Sequence, residues 1–287
     1  MAEQLGDVEI VSVDSMQLYR GLDIGTAKPT AAERARVAHH LLDVADPADG
    51  WSVAQFQAAA RTAVRDIESR GKRALLVGGT GLYVRAVVDD LQFPGEDATV
   101  RARIDARADE TGGLAELYAE LERRDPAAAA RIEPGNRRRI VRALEVIELT
   151  GRPFSATGVG LGHHGATVFP VRLFAVWLPG EVLTARIAAR VDEMYAAGLV
   201  DEVKTLADRY PDGLSRTAAQ AIGYREAFAV VDGALDVEAA RAATAVRTRQ
   251  FGRRQVRWFR RDPRITWLGT ARNPADLGPA LLECCRP

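Results

Sequence analysis

Short apolar runs alternate with longer stretches of helical spacing, and this alternation is the feature that most constrains the fold. The runs cover Val8 to Val13, Ala74 to Val77, Val171 to Leu178 and Ile265 to Leu268. Strands that alternate with helices pair in parallel, because each crossover helix returns the chain to the same end of the sheet. The sequence therefore predicts an α/β fold, and its 47% apolar residues are sufficient for a core.

One long stretch, about Gly95 to Gly165, interrupts the alternation because it contains helical segments and no strand pattern. Its helical segments are Ala98 to Glu110, Gly113 to Glu122 and Arg137 to Leu149. We therefore predict a helical subdomain over residues 95–165, inserted into an α/β core of residues 1–94 and 166–287. The glycine-rich segment Ser155 to Gly165 is predicted to be a mobile loop.

Basic residues are concentrated in two segments of a chain whose net charge is zero. The 39 basic and 39 acidic side chains cancel, so affinity for nucleic acid requires a local patch. Residues 131–142 contain five arginines against one glutamate, and residues 247–264 contain eight against one aspartate. Four arginines of the second segment recur every four residues along one helix face: Arg249, Arg253, Arg257 and Arg261. Phosphate-rich RNA or DNA and solvated surface charge both fit these clusters.

The composition predicts neither export nor a membrane segment. The two cysteines, Cys284 and Cys285, are adjacent and can neither staple a loop nor supply a spaced metal site. No apolar run approaches the roughly 20 residues that cross a bilayer, and the first residues lack a signal-peptide pattern. The four histidines form two adjacent pairs with diverging side chains, so no histidine metal site is predicted. We therefore expect a cytoplasmic protein.

Asp14 is the first candidate for chemistry, because it directly follows the apolar run that ends at Val13. In doubly wound sheets, ligands collect at the carboxyl ends of the strands. An Asp-Ser pair in this place also commonly caps a following helix. Position alone leaves the functional role and the capping role equally open.

The turn Gly78-Gly79-Thr80-Gly81 is the second candidate, since it follows the run Ala74 to Val77 and precedes a helical pattern. Backbone amides at such a helix start can face a phosphate or a base, and Thr80 adds a hydroxyl. A tight strand-to-helix turn without a ligand is the simpler explanation of the glycines alone.

Arg186 and Arg190 lie four residues apart on a predicted helix, so both belong to one helix face. Two guanidinium groups in this arrangement can clamp a diphosphate. Ion pairs with the nearby Asp192, Glu193 and Glu202 are the alternative. Spacing alone does not decide between the two.

Six phrases follow one another along the chain: VSVDSMQLYRGLDIGTAKPT, HHLLDV, LLVGGTGLY, RALEVIELTGRP, QAIGYRE and RQFGRRQVRWFR. Together they resemble the bacterial tRNA dimethylallyltransferases, over nearly the whole chain from about Val8 to Leu268. The resemblance implies a P-loop NTPase-like parallel sheet with helices on both faces. It also implies transfer of a dimethylallyl group from dimethylallyl diphosphate to N6 of the adenine at tRNA position 37, with magnesium (Mg2+) as cofactor. The implied partners are the tRNA anticodon stem-loop and dimethylallyl diphosphate, and we expect a monomer.

The resemblance also implies roles for individual residues. It makes Asp14 the general base that accepts a proton from the adenine amine, a task suited to a carboxylate. Arg190 falls on a diphosphate-contacting position of the family, and Arg186 accompanies it on the same helix face. The positions that match tRNA contacts of the family are Asp14, Ser15, Met16, Gln17, Thr80, Arg101, Arg138, Arg139, Ile140, Val141, Arg142, Gln220, Ala221, Ile222, Gly223, Tyr224 and Arg225.

The sequence departs from the family at its start. Family members begin with a strand and a phosphate-binding loop of the form G-x-T-x-x-G-K-[ST], and no such motif occurs here. The pair Gly71-Lys72 does not qualify, because Arg73 follows it and Asp66 occupies the place of the first glycine. The first strand and P-loop are thus absent from this sequence. Since that strand would normally have neighbours on both sides, we expect the chain as written to be poorly folded or inactive.

Three other functions compete with this interpretation. A kinase of a nucleoside or small metabolite would have no use for the arginine-rich helix or for the phrase QAIGYRE. An adenylate isopentenyltransferase, which acts on a free nucleotide, would not need the long helical insertion. A non-catalytic tRNA-binding remnant would keep both features and lack transfer, so only an assay distinguishes it from the enzyme.

Overall fold

The computed structural model describes residues 1–157, 164–269 and 273–285. The chain divides into two compact units. One unit, which we call the α/β unit, consists of Met1–Val87 with Pro170–Pro287, and the other, the helical unit, is Val88–Phe169. The boundaries predicted from the sequence, 95 and 165, lie a few residues inside the bounds of the helical unit.

The strands of the described residues all belong to the α/β unit. They are β1 (Val8–Ser12), β2 (His39–His40), β3 (Arg73–Val77), β4 (Leu173–Trp177) and β5 (Ile265–Gly269). Four of them confirm the four apolar runs. The short β2 was missed, because a pair of histidines carries no apolar pattern.

All pairing between these strands is parallel, which confirms the predicted α/β class. In one sheet β1 lies between β2 and β3, with Ile10 opposite both His39 and Leu75. In the other sheet β4 pairs with β5, with Ala175 opposite Trp267. The described strands therefore form a three-stranded and a two-stranded sheet, where the sequence predicted a single one.

Helices account for most of the remaining described residues. In chain order they are α1 (Ala2–Leu5), α2 (Ala31–Arg36), α3 (Val53–Ser69), α4 (Gly81–Val88), α5 (Ala98–Asp109), α6 (Gly113–Arg124), α7 (Pro126–Ala129), α8 (Arg137–Thr150), α9 (Phe154–Thr157), α10 (Gly180–Ala196), α11 (Leu199–Arg209), α12 (Tyr224–Val231), α13 (Val237–Phe259) and α14 (Gly278–Cys284). Two short 3₁₀ helices cover Ala218–Gln220 and Pro274–Leu277. Within the described ranges, none of the helices has the length and apolarity to cross a membrane.

Helix α3 shows how the sequence builds the α/β unit. It begins with a capping box, in which the Ser52 hydroxyl accepts from the Gln55 amide and the Gln55 side chain accepts from Ser52. Its apolar face buries Phe56, Ala60, Val64 and Ile67 at helical spacing. The Phe56 ring packs on Tyr83 of α4, with ring centroids 4.4 Å apart. This ring contact packs α4, the helix after the glycine turn, against the buried face of α3.

The helical unit has an apolar core of its own. Residues from α5, α6 and α8 form most of it, among them Ile104, Leu117, Leu121, Ile140 and Leu144. These three helices confirm the predicted segments, and α8 ends at Gly151 in the left-handed conformation, φ 66°. The short helices α7 and α9 were not predicted.

The predicted mobile loop Ser155 to Gly165 is only partly described. Ser155 lies in α9, whereas residues 158–163 fall outside the described ranges. Buried Asp125 accepts hydrogen bonds from the Ser155 amide at 2.6 Å and from its hydroxyl at 2.7 Å. The same carboxylate also accepts from the Ala128 amide at 3.0 Å, so it joins α7 and α9. The beginning of the predicted loop is therefore held by a buried charge.

Candidate functional site

Asp14 lies at the carboxyl end of β1, where the fold places ligands. Val13 before it is buried, and its amide donates to the Val77 carbonyl at 2.7 Å, which joins the ends of β1 and β3. Asp14 Oδ1 accepts from the amides of Met16 at 2.8 Å and Gln17 at 3.3 Å. Within the described part of the chain, Oδ2 accepts no hydrogen bond. The carboxylate therefore caps a turn with one oxygen and leaves the other without a hydrogen bond from the described residues. The predicted alternative of a helix cap is wrong, because residues 15–18 form a turn and the next helix, α2, begins at Ala31.

Thr80 is brought next to this turn, as the family resemblance implied. Its carbonyl accepts from the Tyr83 and Val84 amides, so Thr80 starts α4. Its hydroxyl oxygen lies 3.4 Å from the Ser15 amide nitrogen and 3.3 Å from the Ser15 hydroxyl. The two candidate segments thus meet through Ser15, one residue from Asp14.

Close packing explains the three glycines around Thr80. A Cβ at Gly78 would overlap the Val13 carbonyl, and a Cβ at Gly79 would overlap the Gln255 side chain. A Cβ at Gly81 would overlap the Trp258 ring. Contacts with the main chain of β1 and with the Trp258 ring therefore account for Gly78 and Gly81 without a ligand, whereas at Gly79 the flexible Gln255 side chain could move aside.

Gln17 joins the end of β1 to the loop that follows it. Its side-chain amide donates to the carbonyls of Thr26 at 3.1 Å and Ala27 at 3.3 Å. Its side-chain oxygen accepts from the Ser12 hydroxyl at 2.9 Å. Both polar ends of Gln17 are thus occupied, so in this conformation its side chain organises the loop.

Lys28 is a buried ammonium at the centre of the same loop. It donates to Asp23 and Asp43 at 2.6 Å each and to the Tyr19 carbonyl at 2.7 Å. Arg34 also contacts Asp43, at 2.7 Å. Burial would raise the pKa of Asp43, but the hydrogen bonds from Lys28 and Arg34 outweigh it and hold that pKa below its ordinary value. This cluster was not predicted from the sequence, because a lone lysine in a polar turn looks like a surface residue.

The backbone around Lys28 is strained. Three non-glycine residues adopt positive φ: Ala27 at 48°, Leu41 at 62° and Asp43 at 58°. Such conformations are costly for residues with a Cβ and persist where surrounding contacts enforce them. At Asp43, the hydrogen bonds from Lys28 and Arg34 hold the residue in this conformation.

The segment from Gln220 to Arg225 divides into buried and exposed residues. Tyr224 is 0% exposed, and its hydroxyl donates to Glu202 and accepts from the Gly25 amide at 3.2 Å. Burial, and then the nearby charge of Glu202, raises the pKa of the Tyr224 hydroxyl. Ala221 is also buried. The side chains of Ala221 and Tyr224 therefore belong to the core, and the tRNA contacts predicted at these two positions stay predictions that only the main chain could fulfil in this conformation.

The other members of this segment remain accessible to different degrees. Gln220 and Arg225 are exposed, and Ile222 is half-buried. Gly223 has a φ of 93°, a value that favours glycine at the start of α12. Across the described residues, the Arg225 side chain forms no ion pair. Gln220 and Arg225 are thus the side chains of this segment that can meet a ligand.

Helix α8 carries a run of five predicted tRNA contacts, Arg138 to Arg142, and these residues differ in exposure and in their ion pairs. The side chains of Ile140 and Val141 are 0% and 4% exposed in the core of the helical unit, so the tRNA contacts predicted at these two positions stay predictions that their side chains do not support in this conformation. Arg138 and Arg139 are exposed and, among the residues that the structure describes, form no ion pair. The helix therefore presents two free guanidinium groups at its start.

Arg142 and Arg101 are instead bound to Glu145, a fully buried carboxylate. Glu145 Oε2 lies 2.9 Å from Arg142 Nη1 and 2.8 Å from Arg101 Nη2. Its Oε1 accepts from the Asp97 amide at 3.0 Å. Burial opposes ionisation of Glu145, but the hydrogen bonds from both arginines outweigh it and lower its pKa. The spacing of residues along the sequence did not predict this ion-pair cluster, because Arg101 belongs to α5 and its partner Glu145 to α8.

Arg186 and Arg190 are exposed on α10, on one flank of its buried face, which consists of Ile187, Val191 and Met194. The predicted alternative of ion pairs with nearby acids is not formed in the described part of the molecule. Asp192 pairs with Arg241 at 3.3 Å, and Glu202 is engaged by Tyr224. Both guanidinium groups are therefore available to an anionic ligand.

No metal site is formed by protein side chains alone in the described ranges. They contain no group of three or more His, Cys, Asp or Glu residues that could hold a metal ion. Mg2+ usually binds one or two carboxylates together with waters and substrate phosphates, so an all-protein cage is not what this ion requires. Oδ2 of the half-buried Asp14, which accepts no hydrogen bond from the described residues, is a suitable donor by type, but it does not make a site by itself.

Comparison with known proteins gives one consistent result. The sequence profile of the IPP transferase family matches residues 17–262. The tRNA dimethylallyltransferase of Kineococcus radiotolerans is 53% identical over 279 residues, which cover 96% of this chain and 86% of that protein. The tRNA dimethylallyltransferase of Bifidobacterium longum subsp. infantis is 47% identical, with 96% and 80% covered.

Solved structures agree with these sequence relatives. The tRNA isopentenylpyrophosphate transferase of Bacillus halodurans is 38% identical, with a TM-score of 0.68 and coverage of 99% of this chain and 88% of that one. A eukaryotic dimethylallyltransferase acting on tRNA has a TM-score of 0.79 at 26% identity, with 100% and 76% covered. The similarity therefore extends over both units of the chain.

Proposed function

Because this chain belongs to the IPP transferase family, we propose that it transfers a dimethylallyl group from dimethylallyl diphosphate to N6 of the adenine at tRNA position 37. The product is N6-dimethylallyladenosine beside the anticodon. The observation that carries the proposal is Asp14 Oδ2 at the end of β1, which accepts no hydrogen bond from the described residues, with Thr80 next to Ser15, one residue from Asp14.

Asp14 acts as the general base in this proposal. As adenine N6 forms a bond to the allylic carbon, Asp14 Oδ2 accepts a proton from the amine. The bond between that carbon and the diphosphate oxygen breaks, and its electron pair leaves with the diphosphate. The amides of Met16 and Gln17 donate to Oδ1, so the orientation of the carboxylate is fixed before the adenine binds. A positioned base of this kind contributes roughly 10²–10⁴ in rate.

Arg190 and Arg186 stabilise the leaving diphosphate in this proposal. Both guanidinium groups are exposed and free of ion pairs across the described residues, so neither has to break a contact to bind phosphate. Cations aimed at developing negative charge lower the barrier of such a transfer. Mg2+ would accompany the diphosphate and neutralise part of its charge.

Exposed arginines in each unit support tRNA as the acceptor. The helical unit offers Arg138 and Arg139, and the α/β unit offers Arg225 with Arg253 and Arg257 of α13. Of the other two arginines in the predicted row, Arg249 is half-buried, and Arg261 is exposed but lies after the end of the helix. Guanidinium contacts to phosphates position an RNA without reading its sequence. An adenine must leave its stack before N6 can react, so grips on the backbone are needed to hold the opened loop.

The test is a transfer assay on the wild-type chain and on two aspartate variants. The protein is mixed with dimethylallyl diphosphate, magnesium chloride and an anticodon stem-loop that carries adenine at position 37, and the modified nucleoside is measured by mass spectrometry. We expect Asp14→Asn to slow single-turnover transfer by about 10²–10⁴ while the Kd for RNA stays within about threefold. Asp49→Asn, at an exposed carboxylate, serves as the matched control and leaves both values unchanged.

Each outcome of this assay separates the candidate functions. Product formed by the wild type supports the proposal, and it would contradict the expectation from the sequence that the chain as written is inactive. RNA binding without product favours a non-catalytic tRNA-binding protein. Modification of adenosine monophosphate but not of the stem-loop favours an adenylate isopentenyltransferase.

A further inference from the structure

We propose that Gln255 is a positioning residue for this reaction, because it holds the glycine turn that carries Thr80 beside Asp14. The inference rests on the proposed function for its kinetic consequence. Gln255 does not touch the reacting groups. It acts through the main chain at Gly79.

Helix α13 meets the glycine turn at two points. Gln255 Nε2 donates to the Gly79 carbonyl at 2.9 Å, and a Cβ at Gly79 would overlap this side chain. Three residues later on the same helix face, the Trp258 ring lies against Gly81, where a Cβ would overlap it. Thr80 is thus the residue between the two glycines that α13 contacts.

The opposite side of the turn rests on β1. A Cβ at Gly78 would overlap the Val13 carbonyl, so the main chain of the turn lies directly on the end of the strand. The turn is therefore enclosed between β1 and α13. On the α13 side, the hydrogen bond from Gln255 to the Gly79 carbonyl fixes the distance between the turn and the helix.

The Thr80 carbonyl accepts from the Tyr83 and Val84 amides at 2.8 and 3.0 Å, which fixes Thr80 to α4, but the side-chain contacts of Thr80 with the turn at Asp14 are long. Its hydroxyl lies 3.4 Å from the Ser15 amide and 3.3 Å from the Ser15 hydroxyl, both at the long end for hydrogen bonds. Glycines offer no side chains that could lock the turn by packing. The side chain that supplies a hydrogen bond of good length to this turn is Gln255, so the placement of Thr80 depends on it.

The primary test is Gln255→Met, which keeps the length of the side chain and removes its donor. A displacement of about 1 Å at a catalytic site can cost up to about 10²-fold in rate, so we expect single-turnover transfer to fall about 10- to 100-fold. The Kd for RNA is expected to change less than about threefold. Gln250→Met, at an exposed glutamine of the same helix, is the matched control and leaves the rate unchanged.

A double variant distinguishes positioning from general support of the fold. If Gln255 acts through Thr80, Gln255→Met has little further effect once Thr80→Val has removed the hydroxyl. A merely structural role of Gln255 would give the same rate factor in both backgrounds. An equal factor, or a wild-type rate for Gln255→Met, would overturn the positioning role and leave the proposed function standing.

A second measurement does not depend on activity. The amides of Tyr83 and Val84 donate to the Thr80 carbonyl, so a loosened turn exposes them. We expect Gln255→Met to accelerate hydrogen exchange over residues 78–84, and Gln250→Met to leave it unchanged. Unchanged exchange in Gln255→Met would refute the hold on the turn. If the wild type shows no transfer, the proposed function fails, and exchange still decides whether Gln255 holds the turn.

Discussion

Two buried glutamates, one in each unit, use their cationic neighbours in different ways. Glu145 of the helical unit has a side chain that is 0% exposed and shares Arg101 and Arg142. Glu9 on β1 of the α/β unit is 6% exposed and contacts His40, Arg70 and Lys72, all at 2.7–2.8 Å. Both carboxylates are neutralised by more than one cation, as burial of a charge requires. Of these two acids, only Glu145 pairs with arginines that were predicted to contact tRNA, namely Arg101 and Arg142.

The comparison indicates that an arginine paired with a buried acid is not available to bind a phosphate, whereas an unpaired arginine on the same helix is available. Arg138 and Arg142 lie four residues apart on α8, yet only Arg142 has a buried partner. On α13, Arg247 pairs with buried Glu226, whereas Arg257 has no ion pair in the described residues. An arginine that neutralises a buried acid cannot leave it without a large loss of stability. Free and bound arginines of similar spacing therefore have different roles.

Loss of Glu145 should have the largest effect. Glu145→Ala leaves the Asp97 amide and two partly exposed arginines, Arg101 and Arg142, without their shared acid, and we expect it to lower the free energy of unfolding by about 2–3 kcal/mol. Glu148→Ala on the same helix removes a partly exposed partner of Arg103 and should cost at most about 1 kcal/mol. Urea denaturation of both variants measures the difference, and equal losses would contradict the distinction.

Glu9 should contribute a smaller, pH-dependent stability. Hydrogen bonds from Lys72, then His40, and the proximity of Arg70 lower the pKa of Glu9 from 4.5 to about 2, against the opposing effect of burial. A lowered pKa gives stability that is fully present above pH 4.5 and is lost as pH falls toward 2. Glu9→Gln should therefore cost about 1–2 kcal/mol at pH 7, because Arg70 and Lys72 are partly exposed, and less below pH 4.5. Urea denaturation at several pH values measures this, with exposed Glu68→Gln as control. A pH-independent difference would refute the linkage.

The free arginines of α8 should carry RNA affinity and not stability. Replacing Arg138 and Arg139 by alanine should lower the slope of log affinity against log salt by about 0.7 for each lost phosphate contact. Arg101→Ala should leave that slope unchanged and reduce stability, because it removes a partner of Glu145. Filter binding of the stem-loop at several salt concentrations measures the slope. A slope change with Arg101→Ala would place Arg101 on the RNA.

A single arginine of α13 should give the smallest effect. Arg257→Ala should lower the salt slope by about 0.7 and change the free energy of unfolding by less than about 0.5 kcal/mol. Arg247→Ala leaves buried Glu226 without its cation, so it should destabilise the protein and keep the slope. The same binding and denaturation experiments apply. The reverse pattern would remove the α13 row from the RNA-binding surface.

Elements with a strong local pattern were predictable from the sequence. The apolar runs of β1, β3, β4 and β5 and the periodicity of α5, α6 and α8 gave bounds within a few residues of the structure. The two-residue β2 and the four-residue α7 and α9 are too short to produce a periodic signal. Their positions follow from tertiary contacts, such as that between Asp125 and Ser155.

The candidate site was predictable where it lies at the ends of neighbouring strands. Asp14 and Thr80 follow β1 and β3, so parallel pairing brings them close. The supports of the site were not predictable, because each depends on a partner far away in sequence. Gln255 contacts Gly79, and Tyr224 contacts Gly25. No spacing rule relates positions that are separated by more than a hundred residues.

The buried ammonium of Lys28 constrains how this chain can diverge. Loss of Asp23 or Asp43 leaves an interior positive charge poorly compensated, and loss of Lys28 leaves two carboxylates without their common cation. A lineage that replaces one of the three therefore passes through a less stable intermediate unless a second replacement accompanies the first. We expect these three positions to change together between distant relatives or not at all.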